Sequence, residues 1–95
     1  MRLEFRPRAV ADLAEIRDYL LEHADAAVAD RVRRHLRQRF DVLKRRPSLG
    51  IASSRSDIRI LSPRKYPYRI YFTVIEKTVI VLHVRHTARE LPKLD

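Results

Sequence analysis

Hydrophobic residues recur at different intervals along this chain, and each change of interval marks a new element. Arg2-Leu3-Glu4-Phe5-Arg6 alternates, which predicts a short strand with Leu3 and Phe5 turned inward. Pro7 suits the first position of a helix, where its missing N–H is not needed. From there Val10, Leu13, Ile16 and Leu20 recur every third or fourth residue, predicting a helix to about His23. Asp25 is a good N-cap for a second helix, Ala26 to about Arg46, ended by Pro47. Its buried stripe is Val28, Val32, Leu36, Phe40 and Leu43. Residues 47–57 hold the only glycine, Gly50, and a polar Ser53-Ser54-Arg55-Ser56 patch, which reads as a loop. Ile58 to Leu61 is a short strand, interrupted by Ser62 and Pro63.

The stretch from Tyr66 to Arg89 contains two runs rich in β-branched and aromatic residues, hinged at Glu76 and Lys77, and so predicts a β-hairpin. In its first strand Tyr68, Ile70, Phe72 and Val74 share one face and form the better core, while Arg69, Tyr71, Thr73 and Ile75 share the other. A two-residue turn would pair Thr73 with Ile80 and put Arg69 on the face of Val84. A turn longer by one would align Arg69 with His83 and Arg85. Glu-Lys is not a favoured two-residue turn, so the register stays open. The order is strand, helix, helix, strand, strand, strand: an α+β domain, a small antiparallel sheet with a helical hairpin packed on one face. Residues 1–95 make a single domain, with 90–95 irregular.

Composition narrows the setting. The chain has no cysteine, hence no disulfide and no thiolate metal site. Its longest apolar run falls far short of the ~20 residues of a membrane span, and the charged N-terminus lacks a signal-peptide core. A soluble cytoplasmic domain is the expectation. The formal net charge of +9 implies an acidic partner: nucleic acid, a nucleoprotein or an acidic protein segment. The charge is uneven. The first helix carries Asp12, Glu15, Asp18 and Glu22 against Arg8 and Arg17, whereas the second carries eight cations against Asp30 and Asp41.

The hairpin holds more polar residues than a core element needs: Arg69, Tyr71, His83, Arg85, His86 and Arg89. His83 and His86, without cysteine or a carboxylate set, do not make a metal site. His86 with Arg69 and Arg89 could contact a phosphate or act on an RNA 2′-OH, or these could be solvated charges on an exposed sheet. There is no Ser-His-Asp order and no glycine-rich phosphate loop, so no cofactor is implied. The arginines of the second helix could contact phosphates non-specifically, and Tyr66, Tyr68 and Tyr71 could stack on bases, although Tyr68 is also a core candidate.

Four segments in order resemble the RelE/ParE toxin superfamily of type II toxin–antitoxin systems. They are Ala11-Asp12-Leu13 through Ile16 and Tyr19-Leu20, Pro47-Ser48-Leu49-Gly50, Tyr68-Arg69-Ile70-Tyr71-Phe72, and His86-Thr87-Ala88-Arg89. The resemblance spans nearly the whole chain and implies the same strand–helix–helix–strand order. RelE-like members cleave mRNA on the ribosome with clustered basic residues and often a C-terminal tyrosine or histidine; ParE-like members poison DNA gyrase. On this chain Arg69 and Arg89 match the two recurrent arginines, and His86 matches the ParE-type His-x-x-Arg ending. The lysines of the RelE second strand are missing, since Ile58 to Ser62 offers only Arg59, and so is the C-terminal tyrosine. Arg6 stands where relatives often have a helix-capping serine.

The resemblance therefore points to a ParE-like, plasmid-stabilisation-type toxin that binds gyrase without catalysis. A cognate ParD-like antitoxin would neutralise it, its extended or helical C-terminal segment lying along apolar surface between the helical hairpin and the sheet with its acidic residues toward the arginines. Arg69, Tyr71, His83, Arg85, His86 and Arg89 are the candidate contacts to target or antitoxin. The alternatives are a ribosome-dependent endonuclease using His86, Arg69 and Arg89, and a non-toxic member that acts only in antitoxin binding and operon regulation.

Overall fold

A computed structural model describes residues 1–62 and 64–88. The elements are β1 (Arg2–Phe5), α1 (Pro7–His23), α2 (Ala26–Arg45), β2 (Ile51–Ala52), β3 (Arg59–Leu61), β4 (Tyr68–Ile75) and β5 (Thr78–His86), with a single 3-10 turn at Pro47–Leu49. The sheet order is β1-β5-β4-β3-β2. Among the described residues only the β1–β5 pair is parallel, so α1 and α2 form the crossover between the first strand and the rest.

Both helices start and stop where their local chemistry dictates. Pro7 occupies the first turn of α1, and Arg6 makes no side-chain cap, which leaves that end less satisfied than a serine would. Asp25 accepts a hydrogen bond from the Val28 N–H at 2.9 Å and so caps α2. The α2 stripe is as expected, with Val32, Leu36, Phe40 and Leu43 buried. The α1 stripe is not. Ala9, Asp12 and Ile16 are its buried residues, and Val10 is 55% exposed. Helix α1 is rotated so that Asp12, one of the four acidic residues of this helix, lies in the interior.

The core sits between this helical hairpin and one sheet face, joining the buried helix positions to Leu61, Tyr68, Ile70, Phe72, Val79, Val81 and Val84. Phe5 packs edge-on against Phe40 with ring centroids 5.0 Å apart, tying β1 to α2. Val74, expected in the core, is exposed near the hairpin tip.

The segment 47–57, expected as a plain loop, contributes the short strand β2, with Ile51 opposite Ile60 and Ala52 opposite Arg59. The sheet thus has one strand more than the sequence pattern predicts, because two residues are too few to show a period. Gly50 leads into β2 by passing directly over the Phe72 ring. A Cβ there would fall 2.3 Å from Phe72 Cζ and 2.5 Å from Cε1, so only glycine permits this approach.

The hairpin register combines both sequence alternatives. Glu76 and Lys77 form a two-residue turn in the left-handed region, φ 46° and 62°, despite being poor residues for it. Near the turn Thr73 pairs with Ile80, as a two-residue turn requires. A bulge then intervenes: Phe72 pairs with Val81 but Tyr71 with His83, leaving Leu82 as the extra residue. Past it, Arg69 pairs with Arg85 and Tyr68 with His86.

Candidate functional site

The bulge decides which polar residues meet. On the sheet face away from the helices, the cross-strand pairs Tyr71–His83 and Arg69–Arg85 lie in successive rows. Tyr71 is buried although it lies outside the main core, and its ring meets His83 edge-on with centroids 6.1 Å apart. Two arginines directly opposite each other repel.

Asp12 anchors this region from below. Strand β1 ends at Phe5, paired with Val81, so the edge of β5 beyond that point has lost its neighbour. Helix α1 fills the gap: the Val84 N–H donates to Asp12 Oδ2 at 3.0 Å, so a side-chain oxygen replaces the missing strand. Arg8, one turn earlier in α1, places Nε 3.2 Å from Asp12 Oδ1. From β5, His83 Nδ1 lies 3.8 Å from Oδ2 and Arg85 Nη1 3.8 Å from Oδ1. A buried carboxylate thus has three basic neighbours, as a buried charge requires. Burial pushes the His83 imidazole below its ordinary range; Asp12 opposes this, and Arg85 and Arg8 add to it.

Several polar atoms here lack hydrogen-bond partners. Among the described residues, the buried side-chain atoms without one are Asp12 Oδ1, Tyr71 Oη, His83 Nδ1 and Arg85 Nε. All four belong to this cluster. Buried polar atoms are usually satisfied, so the concentration of four unsatisfied ones in one cluster is unusual for a face that serves only packing.

The other candidates sit apart. His86 shares the helix-side face with Tyr68, whose ring it meets edge-on at 5.5 Å. The Ala88 N–H donates to His86 Nδ1 at 3.0 Å, leaving Nε2 to carry the proton of a neutral ring. It lines a cavity of about 280 Å³ with Asp12, Glu15, Tyr19, Tyr68 and Val84. The expected grouping of His86 with Arg69 is therefore split between the two faces. Arg89 lies outside the described residues. Arg59, the only cation of β3, pairs with Phe72 on the helix side, and its guanidinium donates to the Gly50 carbonyl, from Nε at 3.1 Å. Among the described residues no group of three His, Cys, Asp or Glu side chains could hold a metal ion.

A second surface lies on the outside of the helical hairpin. An apolar groove of about 570 Å³ runs between α1 and α2, lined by Val10, Leu13, Leu20, Leu21, Leu36 and Phe40. Arg17, Arg33 and Arg37 border it. The rotation of α1 that buries Asp12 leaves Val10 exposed at this groove, where the sequence pattern placed it in the core.

A family model described as "ParE toxin of type II toxin-antitoxin system, parDE" matches residues 3–91. The chain belongs to this ParE toxin family. Solved ParE-type and RelE-type structures share its fold. A chain of the chromosomal ParDE system from P. aeruginosa superposes with a TM-score of 0.80 at 22% identity, over 90% of this chain and 95% of that one. A chain of the intact E. coli RelBE complex does so at 0.57 and 18%, over 93% and 98%. A search of curated proteins finds no match. Asp12 is the residue that sequence reasoning missed as part of the site. The only signal was its place one helical turn from Arg8, in the segment Ala11-Asp12-Leu13 through Tyr19-Leu20 that carries the family resemblance.

Proposed function

We propose that this ParE-family toxin inhibits DNA gyrase by binding it, using the Arg69–Arg85 face, and is neutralised by a cognate ParD-like antitoxin. The observation that carries this reading is the split of the basic residues. Ribosome-dependent cleavage by Arg69, Arg89 and His86 would need them around one phosphate. His86 instead faces α1, bonded to the Ala88 amide, while Arg69 and Arg85 occupy the reverse of the sheet. Arg59, the cation of β3, is occupied by the Gly50 carbonyl. What the reverse face offers is charge and hydrogen-bond donors around a buried tyrosine, which suits recognition of an acidic protein surface.

The antitoxin's place in this reading is the α1–α2 groove. An amphipathic helix would lay its apolar side on Val10, Leu13, Leu21 and Phe40, with acidic residues toward Arg17, Arg33 and Arg37. Target and antitoxin then use separate surfaces.

The test is a gyrase supercoiling assay run beside a translating ribosome reaction read by primer extension. Inhibition of supercoiling with intact mRNA supports the reading. Codon-positioned mRNA cuts with unaffected gyrase would replace it with the endonuclease. Silence in both would leave a member that acts only with its antitoxin in operon regulation.

A further inference from the structure

A second cluster of cations lies away from both surfaces, where α2 meets the loop between β3 and β4. Arg39 projects from α2 and donates from Nη2 to the Ser62 carbonyl at 2.9 Å, which fixes the guanidinium against the loop. One helical turn earlier, His35 meets the Tyr66 ring edge-on with centroids 5.0 Å apart. Lys65 holds Nζ 5.6 Å from the centre of the same ring. Arg64 stands next to it in the loop, exposed. Among the described residues, none of Arg39, Arg64 and Lys65 forms an ion pair with a carboxylate.

These charges act on one another. Burial and the charge of Arg64 lower the affinity of Arg39 for its proton, and burial with the charges of Arg39 and Lys65 holds the His35 imidazole below its ordinary range. Like charges held together without counter-charge are a standing cost, relieved by an anion.

We infer that Arg39, Arg64 and Lys65, arranged around Tyr66 and His35, form a nucleic-acid backbone-binding site. Three fixed or tethered cations suit successive phosphates, and a half-buried tyrosine among them offers a face to an adjacent sugar or base. A protein partner fits less well. On the reverse face of the sheet Arg85 lies 3.8 Å from the buried Asp12 carboxylate, whereas among the described residues no carboxylate balances this cluster, which therefore concentrates the charge that a polyanionic backbone relieves. The inference does not depend on gyrase being the target.

Fluorescence anisotropy with a labelled DNA duplex and a labelled single strand, without gyrase or antitoxin, tests it. Arg64→Ala with Lys65→Ala removes two exposed loop cations. Arg2→Ala with Lys44→Ala removes the same charge elsewhere, and circular dichroism melts verify that both variants fold. The loop variant should lose roughly tenfold in affinity and flatten the log–log salt dependence by about 2. The control should lose less than about threefold, the share owed to net charge alone. Equal losses in the two variants would overturn the site, because binding would then follow total charge. So would an oligoglutamate peptide that displaces DNA as well as unlabelled DNA of equal charge does, since it would point to an acidic protein ligand.

Discussion

The two faces of the β4–β5 hairpin are built by opposite rules. Toward the helices, Ile70, Phe72, Val79, Val81 and Val84 fill space against α1 and α2, where apolar atoms need only contact. On the reverse, Tyr71 is as thoroughly buried, yet its hydroxyl has no hydrogen-bond partner and its neighbours are His83, Arg69 and Arg85. One bulged residue, Leu82, separates the two regimes along β5. Stability resides on the first face. The second carries a polar cost, which the proposed function assigns to recognition, and Asp12 couples the two by reaching the edge of β5 from α1.

Four substitutions or conditions bear on that contrast, in decreasing order of effect. Phe72→Ala should destabilise by about 3–5 kcal/mol in urea denaturation, because the ring fills the core beneath Gly50. A loss under about 1 kcal/mol would mean the helix-side face is not where the stability lies. Asp12→Ala strands the Val84 amide and removes the counter-charge of Arg8, for a loss of about 2–3 kcal/mol; Asp12→Asn, which can still accept from Val84, should cost about half as much. Acid should have a smaller effect. His83 titrates below its unfolded value, so its neutral form is favoured by folding. The stability it contributes is complete above about pH 6.5, the unfolded value, and is lost as pH falls through the folded value. His83→Asn should flatten the fall in urea midpoint between those limits, and Asp12→Asn should steepen it by removing the carboxylate that raises the His83 pKa. Smallest of all, Tyr71→Phe should leave stability within about 1 kcal/mol of wild type, or raise it, since the hydroxyl it deletes is unpartnered. A clear destabilisation would show that the reverse face is structural after all.

The sequence makes the first of these faces legible and hides the second. Both helices follow from Pro7, Asp25 and Pro47 together with an apolar period, and their observed ends agree to within one residue. The hairpin and its Glu76-Lys77 turn follow from β-branched runs. The bulge does not, because inserting Leu82 leaves the apolar pattern of β5 nearly unchanged while exchanging the faces of every residue beyond it. That exchange is what separates His86 from Arg69 and brings His83 and Arg85 to Arg69. Asp12 escaped for a related reason: a carboxylate on an amphipathic helix reads as solvent-facing until β1 is seen to end short and leave Val84 without a partner. Val10 is the converse, an apolar residue on an expected inward stripe that the rotation of α1 turns toward the groove.

The division of labour between the two surfaces is tested most directly by a gyrase supercoiling assay comparing Arg69→Ala/Arg85→Ala with Val10→Asp/Leu21→Asp, beside a binding assay with the cognate antitoxin. The sheet variant should lose inhibition at least tenfold and keep the antitoxin, while the groove variant should inhibit like wild type and bind the antitoxin weakly. Full inhibition by the sheet variant would contradict the assignment of the reverse face to the target.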